Sequence, residues 1–497
     1  MRLERVLLVN PPLSLEQIYG KYASGAPVLP PLGFCYIASV LLERGYEVRL
    51  LDCAAERGDL ASVERAIREF KPRLLGVTST TVSFHCAKRV IALAKSVDPE
   101  IVTVLGGAHV SAVPRETLAE LPELDFGVYG EGERTIEELC RALEEGLPLE
   151  AILGLCRREG GRIAVNPPRP NEPELDRFRI PARHLLKDLK RYSPNPLRGF
   201  SRSVSLISSR GCTFDCSYCD QSVFSRRWRG HTAGHVIEEI KALKRDWGFD
   251  FFSFEDDHFL INHARVIELC RRMIDEKLDI GWTCSARANS FTPELAALMK
   301  EAGCRIVFLG LESGSPRILS QIDKDIDLPS AARGVELLAA AGIRTYGAFM
   351  IGTPGETEAD VELSIEFALS LPLDAISCFV YVPYPGTPLR ALALKSGFVS
   401  DDWRDYSAHP TRLPFLNEGA SEEHVLALQR EFYRRFYLRP SHILRHLPDY
   451  LNRRFIPKAA VMLRDFTLNH LGIRRKTLAR PPGAGGAVAG QRARAHT

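Results

Sequence analysis

Apolar residues follow two alternating rhythms over the first 150 positions. Short β-rich runs at Val6–Val9, Glu47–Leu51, Leu74–Thr78 and Ile101–Leu105 have strand length and composition. Between them, Gly33–Arg44, Leu60–Phe70 and Ser83–Val97 have helix length and an amphipathic pattern, with Gly45 a stop signal after the first. This βαβ alternation predicts a doubly wound parallel sheet. The opening residues, Met1 to Asn10, read as a strand and not as a leader.

The same alternation resumes from about 200 to 395. Val204–Ile207, Phe251–Phe254, Ile280–Thr283, Ile306–Leu309, Thr345–Ile351 and Ala375–Val382 are six predicted strands. Helices are predicted at Ala233–Arg245, His263–Glu276, Pro293–Glu301 and Ser330–Ala341. Six βα units predict a partial (βα)6 barrel of the TIM type, short of the closed eight, with chemistry on the loops after the strands. Between the two regions, Asn166-Pro167-Pro168-Arg169-Pro170 and Pro173 interrupt regular structure and Ile180-Pro181 reads as extended.

Beyond Leu394 the alternation stops. Ser421–Tyr437 carries a capped helical pattern, and His442–His446 and Tyr450–Leu468 continue a basic, aromatic helical region. The last stretch, with Pro481-Pro482-Gly483, reads as disordered. The expected division is 1–150 sheet domain, 151–199 linker, 200–395 partial barrel, 396–472 helical region and 473–497 tail.

Composition narrows the function without naming it. The chain has 497 residues, 45% of them hydrophobic, a formal net charge of +3 and 12 cysteines. That length calls for two or three domains. So small a charge offers no case for a nucleic-acid partner. Cysteines scattered through a long chain without a signal peptide fit a reducing, cytoplasmic setting better than a disulfide framework. No apolar run is long enough to span a bilayer, although interleaved arginines and aromatics near the C-terminus also fit contact with a membrane surface.

The chemistry-bearing stretch is Arg210–Asp220, which follows the first barrel strand. It brings Cys212, Cys216 and Cys219 into one loop at spacing Cys-x3-Cys-x2-Cys. Structural zinc normally takes four protein ligands, whereas a cuboidal iron–sulfur cluster held by three thiolates leaves one iron open to a ligand. Later strand ends carry the acidic run Glu255-Asp256-Asp257, where an ammonium group could dock, then Arg287, suited to a carboxylate, then Glu312 among small residues, suited to ribose hydroxyls. Taken singly, each has a plainer reading as a cap, a surface arginine or a strand-end carboxylate. Gly352 and Pro383 lie in Gly/Pro clusters that turn formation alone would justify. In the first domain the loops after the strands hold Thr78-Ser79, Gly106-Gly107-Ala108-His109 and Gly130-Glu131-Gly132, with no dinucleotide fingerprint among them.

The cysteine loop, with Tyr218 just before its last cysteine, resembles the signature of the radical S-adenosylmethionine (SAM) enzymes. That resemblance implies a [4Fe-4S] cluster on Cys212, Cys216 and Cys219 and cleavage of SAM to a 5′-deoxyadenosyl radical. It further implies SAM contacts at Tyr218, Arg287, Glu312, Gly352 and Pro383, with Asp256 favoured for the ammonium group, and an external electron donor such as a flavodoxin or ferredoxin. Leu29–Gly33, the Gly-Gly-x-His turn and Gly130–Glu133 resemble the cobalamin-binding domain that precedes the barrel in one subclass. There the resemblance implies cobalamin contacts at Thr78, Ser79, Gly106, Gly107, His109, Gly130, Glu131 and Gly132. The cobalamin pattern Asp-x-His-x-x-Gly is missing, since Asn10-Pro11-Pro12-Leu13-Ser14 stands after the first strand, so the axial ligand of cobalt stays open. The activity expected is methylation of an unactivated carbon in a small-molecule or lipid-like substrate. A radical cyclase using the same cofactors, and a cobalamin sensor with a structural cluster, are the alternatives.

Overall fold

The computed structural model describes residues 3–20, 23, 26–192, 202–407, 410 and 412–451. Strands β1 (Arg5–Asn10), β2 (Glu47–Asp52), β3 (Leu74–Thr78), β4 (Val102–Gly106) and β5 (Phe126–Val128) are parallel neighbours in the order β2-β1-β3-β4-β5. Successive side chains of a strand point to opposite faces, and β1 shows the consequence. Val6 and Leu8 join a core with helices Leu32–Glu43 and Gly132–Glu145. Leu7 and Val9 join a second core with helices Leu60–Phe70 and Phe84–Val97. The strand order turns back between β1 and β3, so the loops after them open at a topological switch point.

The sheet does not end near residue 150. β6 (Leu155–Glu159) and β7 (Arg162–Val165) add antiparallel to β5, within the stretch expected to be a linker. Their signal is masked because they are short and charged, β6 ending in Arg157, Arg158 and Glu159 and the edge strand β7 beginning with Arg162. The rest of the connector is fastened too. Leu175, Phe178, Leu186 and Leu189 are buried, and Tyr192 donates to Asp52 Oδ2 at 2.8 Å. Arg183 is buried in an ion pair with Glu239 and donates to the Ser205 carbonyl at 3.0 Å.

The second sheet comprises β8 (Ser203–Leu206), β11 (Phe251–Phe254), β12 (Gly281–Ala286), β13 (Cys304–Glu312), β14 (Arg344–Ile351) and β15 (Ala375–Val380), all parallel, with β8 and β15 at its edges. This is the expected open barrel of six strands. A two-residue ribbon, β9 (Ser209–Arg210) with β10 (Arg229–Gly230), closes the base of the cysteine loop. At the other edge, helix Glu422–Tyr437 supplies partners for a backbone that lacks a neighbouring strand. The Tyr433 and Tyr437 hydroxyls accept from the Cys378 and Ile376 N–H groups, each at 2.9 Å, and Gln429 donates to the Cys378 carbonyl at 2.7 Å.

Residues just past 396 are not helical as expected. β16 (Gly397–Val399) pairs antiparallel with β17 (Phe415–Asn417) before the helices Glu422–Tyr437 and Pro440–Leu451 begin. Three-residue strands leave no periodicity to read. The predicted helix beyond 451 and the tail 473–497 lie outside the described residues. Among the described residues, no helix is long and apolar enough to cross a membrane.

One turn depends on glycine. Gly107, at φ +100°, lies so close to the β3 loop that a Cβ there would meet Ser79 O at 2.5 Å and Thr78 Oγ1 at 2.9 Å. Gly107→Ala is therefore expected to destabilise the protein by about 1–3 kcal/mol through backbone strain, before any cost of the clash. A lowered thermal midpoint checks this.

Candidate active site

The loop between β9 and β10 carries the three cysteines at the carboxyl end of the barrel. Gly211, at φ +82°, starts it where a Cβ would strike the Arg227 carbonyl at 2.5 Å. Its middle is held by two backbone bonds, Ser217 N to Ile322 O at 3.0 Å and Leu389 N to Ser217 O at 2.9 Å. Cys216 is buried, Cys212 half-buried and Cys219 exposed. Withdrawal from water, then Cys216, Asp257 and Cys212, push the Cys219 thiol up to about 12. Burial raises Cys212 as well, with Asp257 and Cys216 adding to it. Such thiols become ligands when a metal takes their protons.

Around this loop stand Arg287 after β12, Lys324 after the helix Pro316–Gln321, and Glu312 at the end of β13. Arg287, after β12, has its guanidinium carbon 3.8 Å from the centre of the Phe214 ring, with Nη1 3.6 Å from Cys216 Sγ. Its Nη2 donates to the Lys324 carbonyl and to the Asp325 carbonyl, the latter at 2.6 Å. No carboxylate pairs with it in these contacts, and its charge lies beside the Cys216 sulfur. His258 is buried beside Phe214, and burial, followed by Arg287 and Lys324, lowers its pKa to about 4. Glu312 ends β13 at φ +64° and accepts the Tyr218 hydroxyl at 2.9 Å and the Lys324 ammonium at 2.9 Å. Gly352, at φ +76°, and Thr353 donate their N–H groups to Glu356, whose carboxyl burial raises to about 7. The Pro383 carbonyl accepts from Arg390 at 2.6 Å.

Asp256 is not available to a ligand ammonium. It is buried and accepts from Ser208 N at 2.7 Å, Ser208 Oγ at 2.6 Å and Ser209 Oγ at 2.5 Å. It fastens the cysteine loop to β11. The exposed members of the acidic run are Glu255, which accepts from Ser205 Oγ at 3.0 Å, and Asp257, which accepts from Gly211 N at 2.9 Å.

The N-terminal loops divide in the same way. Thr78, Ser79, Gly106 and Gly107 form one tight corner, with Ser79 N bonded to Gly106 O at 2.9 Å. Gly130, at φ +75°, has open space where a Cβ would stand, whereas Gly132 packs toward Ile37 at 3.2 Å. His109 does not face an open cleft. It is 1% exposed, stacks on Phe84 at 4.0 Å and meets Trp403 edge-on at 5.3 Å, and burial lowers its pKa to about 4. Asp176, His231 and His235 also group closely, but the imidazoles stack at 4.2 Å and 13°, which holds their lone pairs in parallel planes and not on one point. Asp176 there takes the N–H and hydroxyl of Thr232 as well as His231 Nδ1.

Residues 22–140 match the B12 binding domain and residues 206–368 match the radical SAM superfamily. The chain is 36% identical, over 93% of its length and 98% of the relative's, to an uncharacterized methyltransferase of Pyrococcus horikoshii. It is 28% identical to the anaerobic magnesium-protoporphyrin IX monomethyl ester cyclase of Rubrivivax gelatinosus, over 78% of this chain and 69% of that one. The radical SAM methyltransferase TsrM from Kitasatospora setae, solved with cobalamin and a [4Fe-4S] cluster, shares the fold at TM-score 0.65 and 21% identity, with 80% of this chain and 75% of that chain covered.

The chain belongs to the cobalamin-binding radical SAM enzymes. Its cofactors are a [4Fe-4S] cluster, SAM and cobalamin. The donor set suits them. Three thiols on one loop, with a guanidinium beside Cys216, fit an anionic cluster, and the tight corner with open space at Gly130 fits a bulky ligand at the sheet edge.

Within this radical SAM enzyme, Glu131 has a role other than cobalamin contact. Arg210, two residues before Cys212, places Nη1 2.9 Å from Glu131 Oε1 and Nη2 2.8 Å from Glu133 Oε1. Arg229 Nη1 lies 2.8 Å from Glu131 Oε2. None of the four is more than 7% exposed. The Gly-Glu-Gly-Glu motif is thus spent on joining the N-terminal sheet to the cysteine loop. Sequence reasoning missed Arg210, Arg229 and Lys324, since an arginine before the first cysteine and a lysine between two aspartates carry no motif of their own.

Burial alone would raise the Glu131 carboxyl, but Arg210 and then Arg229 outweigh it and hold the group below the ordinary range. Its stabilising contribution is therefore complete above the pKa of an unfolded glutamate and is lost as pH falls through the lower folded value. Arg210→Gln, which leaves Glu133 buried without its cation and Glu131 with Arg229 alone, is expected to cost about 3–5 kcal/mol. In a urea-unfolding cycle, adding Glu131→Gln to it should cost less than the sum of the single changes.

Proposed function

We propose that this enzyme transfers a methyl group to an unactivated carbon of a small-molecule or lipid-like substrate. The observation that carries the reading is that the three-cysteine loop and the Gly130–Gly132 loop are bolted together through Arg210 and Glu131, which would bring the two cofactors to one junction. Residues 3–165 would hold cobalamin, and residues 202–395 the cluster and SAM. When bound, the cluster with SAM supplies hydrogen abstraction and cobalamin supplies the methyl group.

The chain's own residues bind and orient. Cys212, Cys216 and Cys219 hold the cluster, and Arg287 balances its negative charge at Cys216. Glu312 takes ribose hydroxyls, with Tyr218 and Lys324 steadying its carboxylate. With Asp256 taken up by Ser208 and Ser209, Glu255 or Asp257 would receive the SAM ammonium group. Gly352 and Pro383 shape the backbone around the nucleoside. An electron donor of the flavodoxin or ferredoxin type, and peripheral contact with a membrane, remain part of this proposal. The cyclase named among the relatives keeps a second outcome in view, reaction with the same cofactors but without methyl transfer.

Two measurements test the reading. Anaerobically reconstituted protein should lose cluster iron and SAM cleavage on Cys212→Ala, Cys216→Ala or Cys219→Ala. Cys270→Ala and Cys304→Ala, on buried helix and strand positions, should keep both. Full iron content in Cys216→Ala would reject the ligand set.

With its substrate and methyl-labelled SAM, the enzyme should form 5′-deoxyadenosine and S-adenosylhomocysteine together in roughly equal amounts, and the label should enter product. Unlabelled product with 5′-deoxyadenosine alone would replace methyl transfer by cyclisation.

A further inference from the structure

A lysine that no motif marks stands at the centre of the strained part of the site. Lys324 is 5% exposed, and its ammonium donates to Glu312 Oε1 at 2.9 Å and to the Tyr218 hydroxyl at 3.1 Å. The backbone bends to put it there. Asp323 and Asp325, on either side, sit at φ +50° and +47°, and Glu312 sits at φ +64° where the β13 register slips against β14. Left-handed backbone at non-glycine residues costs about 1–3 kcal/mol each and persists where the surroundings enforce it, often at ligand sites.

Opposite the pair, Gly310 leaves it room. A Cβ at that position would lie 2.6 Å from Glu312 Oε1 and 2.8 Å from Lys324 Nζ. The Lys324 carbonyl is gripped by Arg287, whose Nη1 reaches Cys216, so the lysine is tied to the cysteine loop. Both bonds that Glu312 takes fall on Oε1, and Oε2 takes none among the described residues. The ammonium has three N–H donors, two of them engaged.

We infer that Lys324 is the donor half of a diol-recognition pair whose acceptor half is Glu312, the two together reading the vicinal hydroxyls of the ribose of SAM. The inference rests on the assignment of SAM to this site. A carboxylate only accepts, whereas each ribose hydroxyl both donates and accepts. Glu312 alone would leave hydroxyl lone pairs unmatched in a buried site, and Lys324 supplies the missing donor. Gly310 is then the cost of bringing an acceptor and a donor over one small surface.

The test compares binding of SAM and of its 2′,3′-dideoxy analogue by anaerobic equilibrium dialysis, using the reconstituted enzyme at full iron content. Wild type should prefer SAM by about tenfold or more, the worth of a charge-assisted hydrogen bond. Lys324→Met should weaken SAM by about tenfold while changing the dideoxy analogue by less than about twofold, and Lys324→Arg should restore most of the preference. Equal weakening of both ligands, or of neither, would overturn the inference. A wild-type protein that carries its iron yet binds neither ligand would instead bring down the assignment of SAM to this site, and the inference with it.

Discussion

The interaction on which the rest depends is the buried quartet of Arg210, Glu131, Glu133 and Arg229. Two cations and two carboxylates enclosed together need one another, because each alone would pay the cost of leaving water. Tyr36, Phe178 and Phe224 lie 4.7, 5.2 and 5.5 Å from the Arg210 guanidinium and complete its enclosure. Pairing under those conditions tolerates little displacement. Arg210 begins the cysteine loop and Glu131 lies between Gly130 and Gly132, so the quartet holds those two loops in register.

The other fastenings follow the same logic of spending polar groups on position. Asp256 locks Ser208 and Ser209, Arg265 reaches the Ser208 and His231 carbonyls, and Arg183 with Glu239 ties the connector to the barrel. What remains uncommitted is local and chemically apt. Arg287 faces a cysteine sulfur without a carboxylate, and Lys324 retains donor capacity beside Glu312. The open barrel is kept from pairing at β15 by tyrosine hydroxyls and a glutamine of one helix, a polar answer to an exposed edge.

The sequence by itself determined the two alternating βα regions, the number of barrel strands and the cysteine loop. Periodicity and ligand spacing are local properties, and β3 (Leu74–Thr78), helix Leu60–Phe70 and β11 (Phe251–Phe254) lie where the apolar pattern put them. It also marked Glu312, because a carboxylate among small residues at a strand end is visible without coordinates. Only the tertiary structure decided which polar residues were free. Three consecutive acidic residues read alike along the chain, yet packing buried Asp256 under two serines and left Glu255 and Asp257 open. His109 read as a loop ligand, until Phe84 and a tryptophan from nearly 300 positions away closed over it. Glu131 and Arg210 are 79 positions apart and meet only when two sheets dock. Burial and pairing are relations between distant segments, and no local pattern encodes them.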